Sequence, residues 1–76
     1  MLRTVNLEDL QRISPQERTF IKLVCDLREW TYMQIADRMG VSVSTVEGYF
    51  RSLGTRFDLH SRAGLVAFAF EYDLAK

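Results

Sequence analysis

The sequence predicts an all-α fold. Three observations carry that reading: helix start and stop signals recur at short intervals along the 76 residues, proline occurs once, and alternating strand-like runs are nearly absent. Residues 1–12 read as a linker with a weak helical turn beginning at Asn6, and residues 13–76 as one domain of four helices. Ser14-Pro15-Gln16-Glu17 opens the first of these. A Ser-x-x-Glu box satisfies two backbone donors reciprocally, and proline at the first helical position gives up only an N–H that has no intrahelical partner. Phe20, Leu23, Val24 and Leu27 follow at spacings of three and four, which places one apolar stripe on a helix of about three turns. Gln16, Arg18, Lys22, Asp26 and Glu29 form its solvated face.

Thr31-Tyr32-Met33-Gln34 repeats the capping logic and starts a second helix, whose apolar edge of Ile35, Ala36 and Met39 is two turns long. Gly40 stands where a left-handed residue ends a helix. Ser42 then caps a third helix, about residues 43–57, with Val43, Val46, Tyr49, Phe50, Leu53 and Phe57 along it. Ser61 caps the last, where Leu65, Phe68 and Tyr72 fall on one side and Val66 and Phe70 lie off it. That surplus of apolar positions points to a subunit interface as well as a core, with Leu65, Val66, Ala69 and Phe70 as its members. A short helix, a glycine-containing turn and a longer helix make a helix-turn-helix unit, in which the second helix lies in the major groove of DNA.

Composition bounds the function. With 47% apolar and 12% aromatic residues the chain can build one small core, and its length is below that of barrels and doubly wound sheets. No nucleophile with a nearby base and no acid/base pair can be named, so no catalytic residue is expected. A single cysteine, Cys25, and a single histidine, His60, exclude an internal disulfide and a Cys/His metal cluster, and no cofactor is expected. No stretch approaches the roughly 20 apolar residues of a membrane span, and no signal peptide is evident, which gives a cytoplasmic expectation with no membrane partner.

Ten Lys/Arg balance ten Asp/Glu, yet the charge is uneven: −1 over residues 1–37, +2 over 38–62 and −1 over 63–76. Eight of the ten cations are arginine, the side chain suited to bidentate contacts with phosphate or guanine. On the third helix the groove-facing set is Ser44, Glu47, Gly48, Arg51 and Ser52. Arg51 suits guanine, and Gly48 lets a helix approach closely at a cost of about 1 kcal/mol against alanine. Glu47 has three readings: an i,i+4 ion pair with Arg51, an acceptor for a cytosine amino group, or a repeller of phosphates. Ser42, Ser44 and Thr45 stand at the helix start, where one of them caps it and, with the exposed N–H groups, they can hold a phosphate. Arg56 and Arg62 are candidate phosphate neutralisers, Arg62 having a rival partner in Glu17. Phe20, Trp30, Phe57 and Phe68 read as core, Tyr49 as packing, His60 as a loop residue, and Cys25 as a small buried apolar residue.

Ser14-Pro15-Gln16-Glu17-Arg18, then Ile35 through Ser42, then Ser44-Thr45-Val46, then Ser61 through Val66 resemble the LuxR-type DNA-binding domain, over about residues 13 to 73. The nearest form is the output domain of NarL/FixJ-type response regulators. The resemblance implies four helices, the third in the major groove and the last commonly dimerising, in a bacterial two-component regulator that carries a receiver domain in the full-length protein. Double-stranded DNA and a second copy of the chain are then the partners. Two positions depart from the pattern: Glu47 replaces a usual lysine and Tyr49 a usual histidine. Zero net charge and Glu47 keep open an alternative, a helical dimerisation or protein-interaction module that binds DNA weakly.

Overall fold

The computed structural model describes residues 5–75; residues 1–4 of the expected linker and Lys76 lie outside the described residues. Five helices and no strand are found among the described residues: α1 (Leu7–Gln11), α2 (Pro15–Val24), α3 (Tyr32–Met39), α4 (Val43–Phe57) and α5 (Arg62–Glu71). The segment read as a linker therefore contains a helix of its own. Asn6 caps it by accepting the Glu8 N–H at 2.9 Å, and Glu8 pairs with Arg12 one turn later at 2.6 Å.

Each later helix starts as its sequence dictates. Ser14 Oγ accepts the Glu17 N–H while Glu17 Oε1 accepts the Ser14 N–H, at 3.1 and 3.0 Å. The same box closes between Thr31 and Gln34, at 3.2 and 2.9 Å. Ser42 caps α4 and Ser61 caps α5 by accepting the N–H three residues on. Gly40 ends α3 at φ +69°, and the Val41 N–H reaches the Ala36 carbonyl at 3.0 Å, which turns the chain directly into α4.

Phe20 and Ile21 of α2, Ile35 of α3, Val46 and Leu53 of α4 and Leu65 of α5 are fully buried side chains at the centre. α2 packs against α3, α4 and α5, so it is the hub of the bundle. The radius of gyration, 11.8 Å, is close to the roughly 11 Å of a compact chain of this length. Phe57 and Phe68 meet at 4.7 Å between ring centroids and join α4 to α5, and Phe20 lies 5.8 Å from Tyr49, which confirms Tyr49 as packing.

Four expectations are corrected here. Leu27 does not continue the apolar stripe: α2 ends at Val24, Asp26 accepts the Arg28 N–H at 2.8 Å, Glu29 takes φ +55°, and Leu27 is 97% exposed. Trp30 is half-buried at the rim rather than in the core, its ring covered by the Arg38 guanidinium at 3.8 Å. Leu65 and Ala69 are fully buried within this chain, so they have no surface for a second copy, whereas Val66 is half-buried and Phe70 is 64% exposed. Cys25, expected to be buried, is half-buried, and burial pushes its thiol pKa up against the pull of the Arg62 charge.

The charged residue at the heart of this packing is Glu17, which the core buries to 8% exposure. Its second oxygen accepts from Arg56 of α4 at 2.7 Å. Burial raises the Glu17 pKa, but the Ser14 N–H, the hydrogen bond and charge of Arg56, and the Ser14 hydroxyl outweigh it and hold the carboxyl below its ordinary value of 4.5. A folded-state pKa below the unfolded one gives stabilisation that is complete above about pH 4.5 and is lost as the pH falls through the lowered value. Urea unfolding at about pH 7 should show Glu17→Gln less stable by about 1.5–3 kcal/mol, with a smaller loss between there and about pH 3 than the parent shows. Equal stability at about pH 7 would contradict this role.

Two glycines of α4 differ in what they do for the fold. A methyl at Gly54 would lie 2.8 Å from the Leu59 carbonyl oxygen, where the chain folds back onto the end of the helix, whereas a methyl at Gly48 meets nothing within 4 Å. Gly54→Ala should destabilise the free protein by about 1–3 kcal/mol, and Gly48→Ala should stabilise it by about 1 kcal/mol. Thermal melts of the two variants check this, and a loss at Gly48 would contradict it.

Candidate nucleic-acid interface

α3, the turn at Gly40 and α4 form the helix-turn-helix, and α4 is amphipathic in a way that leaves one face free. Val46, Leu53 and Phe57 bury the inner side, with Tyr49 and Phe50 half-buried beside them. Ser44, Glu47, Arg51 and Ser52 are exposed on the opposite side, with Gly48 half-buried among them. Their spacings of three, one, three and one put all five on one face. Thr55 extends the face by one more turn and is also exposed. It was not singled out from sequence, although its i,i+4 relation to Arg51 carries the signal.

The start of α4 is engaged in its own cap. Ser42 Oγ accepts the Thr45 N–H at 3.1 Å and lies 3.0 Å from Thr45 Oγ1. Both residues are exposed, so the helix N-terminus and its hydroxyls face solvent at the same end as Ser44. Val43, 37% exposed, adds an apolar contact surface there.

The two other arginines expected at the interface have internal partners. Arg56 binds Glu17, and its Nε–H is directed at the Ser52 carbonyl at 3.5 Å. Arg62 donates to the Trp30 carbonyl oxygen and sits 5.3 Å above the Tyr32 ring, so it does not take up the Glu17 contact that its position allowed. Both are half-buried. Arg51, in contrast, forms no ion pair with Glu47 among the described residues, although the i,i+4 spacing permits one.

Glu47 and Arg51 also border a cleft between α4 and the start of α3, walled by Tyr32, Phe50, Leu59 and His60. Burial raises the Tyr32 hydroxyl pKa, the Arg62 charge lowers it, and the Glu47 charge adds to the rise. His60 lies in the loop beyond α4 and pairs with Asp58 at 3.0 Å when protonated.

Among the described residues no helix is long and apolar enough to cross a membrane, and no group of three His, Cys, Asp or Glu is arranged to hold a metal ion. Comparison with curated proteins and with solved structures finds no match. A family model described as sigma-70, region 4 matches residues 10–47, half of the chain, running from the end of α1 through α2 and α3 into the second turn of α4. The matching family is a helix-turn-helix DNA-binding region, distinct from the LuxR-type domain that the residues resemble. With the turn geometry of α3 and α4 and a family match over half its length, this chain belongs to the sigma-70 region 4 family of helix-turn-helix DNA-binding domains.

Proposed function

We propose that this domain binds double-stranded DNA sequence-specifically, with α4 in the major groove, as the output domain of a bacterial transcriptional regulator working in the cytoplasm. The observation that carries the reading is the division of α4: one face is locked in the core, and the other is polar, exposed and free of ion pairs among the described residues. Ser44, Glu47, Gly48, Arg51 and Ser52 meet base edges, and Ser42 and Thr45 bring the helix N-terminus to a phosphate. Arg56 and Arg62 reach phosphates with the N–H groups that their internal partners leave over. The LuxR-type resemblance supports a response-regulator setting, with residues 1–12 as a linker from a receiver domain and 13–76 as the DNA-binding unit.

A homodimer through α5 rests on Val66 and Phe70, which border one groove with Cys25 and the exposed Leu27. Phe70→Asp should leave the thermal melt of the free chain unchanged while abolishing cooperative occupancy of paired half-sites in a gel-shift titration. Unchanged cooperativity would place the dimer contact elsewhere.

A second reading, a helical protein-interaction module, draws on the inward pairing of Arg56 and Arg62, which takes two cations from the outer surface. Salt separates the two. For DNA binding, log affinity falls linearly with log salt, by about 0.9 for each neutralised phosphate. Arg51→Ala should cost about 1–3 kcal/mol on the selected sequence and little on others. Retention of no duplex at low salt would favour the module.

A further inference from the structure

Glu47 is an acid in the middle of a surface that, on the reading above, meets a polyanion. Among the described residues it has neither an ion pair nor a hydrogen-bond partner, so neither helix support nor a salt bridge to Arg51 explains its charge. Its neighbour Gly48 has no side chain, and a Cβ there would meet nothing within 4 Å, so α4 can approach a groove closely beside the carboxylate. Near phosphate oxygens the carboxylate is repelled. Towards the groove floor it meets base edges, and the only donors there are the amino groups of cytosine and adenine. An ionised carboxylate only accepts. Adenine sets its N7 acceptor beside its amino group, against the second carboxylate oxygen, whereas cytosine offers its amino group with no acceptor of its own beside it.

Resting on the DNA-binding reading, we propose that Glu47 is a specificity-determining residue that selects a cytosine in the half-site, one or two base pairs from the guanine taken by Arg51. The spacing follows from the helix: four residues span about 6 Å along its axis, against about 3.4 Å between successive base pairs. Glu47 then gives up general affinity for DNA and gains discrimination at one position. Sequence choice in this domain depends on an acid and a base one turn apart on one exposed face.

The test selects bound sequences from a random duplex pool with the intact chain, Glu47→Ala, Glu47→Gln and Arg51→Ala, with circular dichroism melts confirming that each is folded. The parent should prefer cytosine at one position by about tenfold. Glu47→Ala should lose that preference alone, and Arg51→Ala the neighbouring guanine preference alone. Glu47→Gln, which has both a donor and an acceptor, should move the preference towards adenine. If Glu47→Ala binds every sequence more tightly with all preferences intact, Glu47 only repels phosphates and the proposal is wrong. If the parent enriches no motif, sequence-specific binding itself fails, and the assignment of Glu47 fails with it.

Discussion

A single carboxylate ties α4 to the start of α2. Glu17 lies near the start of α2 and divides its two oxygens between the Ser14 N–H and the Arg56 guanidinium, so the local event that nucleates α2 also anchors α4. A buried carboxylate without partners costs several kcal/mol, and that penalty makes the arrangement specific, because any other tilt of α4 would strand the charge. Arg62 does comparable work at the other end, tying the start of α5 to the Trp30 carbonyl just ahead of α3. The helix-turn-helix is thus braced from both flanks by arginines that face inward.

That bracing shapes how the domain can bind. Arginines that fasten helices together have fewer N–H groups for phosphates, and the chain as a whole carries no net charge. On the proposed function, non-specific attraction to DNA is then weak, and affinity comes from complementarity at the base edges. The outward face of α4 fits that demand: small or polar side chains, a glycine that nothing inside the protein requires, and two opposite charges that do not neutralise each other. On that reading Gly48 gives up helix stability for a close approach, while Gly54 in the same helix is fixed by the Leu59 carbonyl.

Much of this was legible in the sequence because helix ends are written locally. The Ser14/Glu17 and Thr31/Gln34 boxes, the Gly40 stop and the Ser42 and Ser61 caps all form, and α4 runs over 43–57 as read. What escaped depends on tertiary geometry. The Glu17 to Arg56 pair joins residues 39 apart, a separation at which no periodicity speaks. Leu27 keeps the spacing of the α2 stripe, but the helix has already turned at Asp26, and spacing carries no record of where the backbone leaves the helix. In α5 nearly every position is apolar; spacing set Leu65 and Phe68 apart from the outward Phe70, but it could not tell that Leu65 and Ala69, read also as interface, are used up by the core. α1 was visible only as a weak turn because its five residues bury nothing.

On the proposed function, α4 is the element that meets DNA. An NMR titration of the isotope-labelled chain with duplex DNA checks that placement residue by residue. Amide shifts should concentrate from Ser42 to Thr55, strongest around Glu47, Gly48 and Arg51, with the buried face of α5 unmoved. Shifts centred on Leu27, Val66 and Phe70 with α4 silent, or no shift at any duplex concentration, would contradict the account.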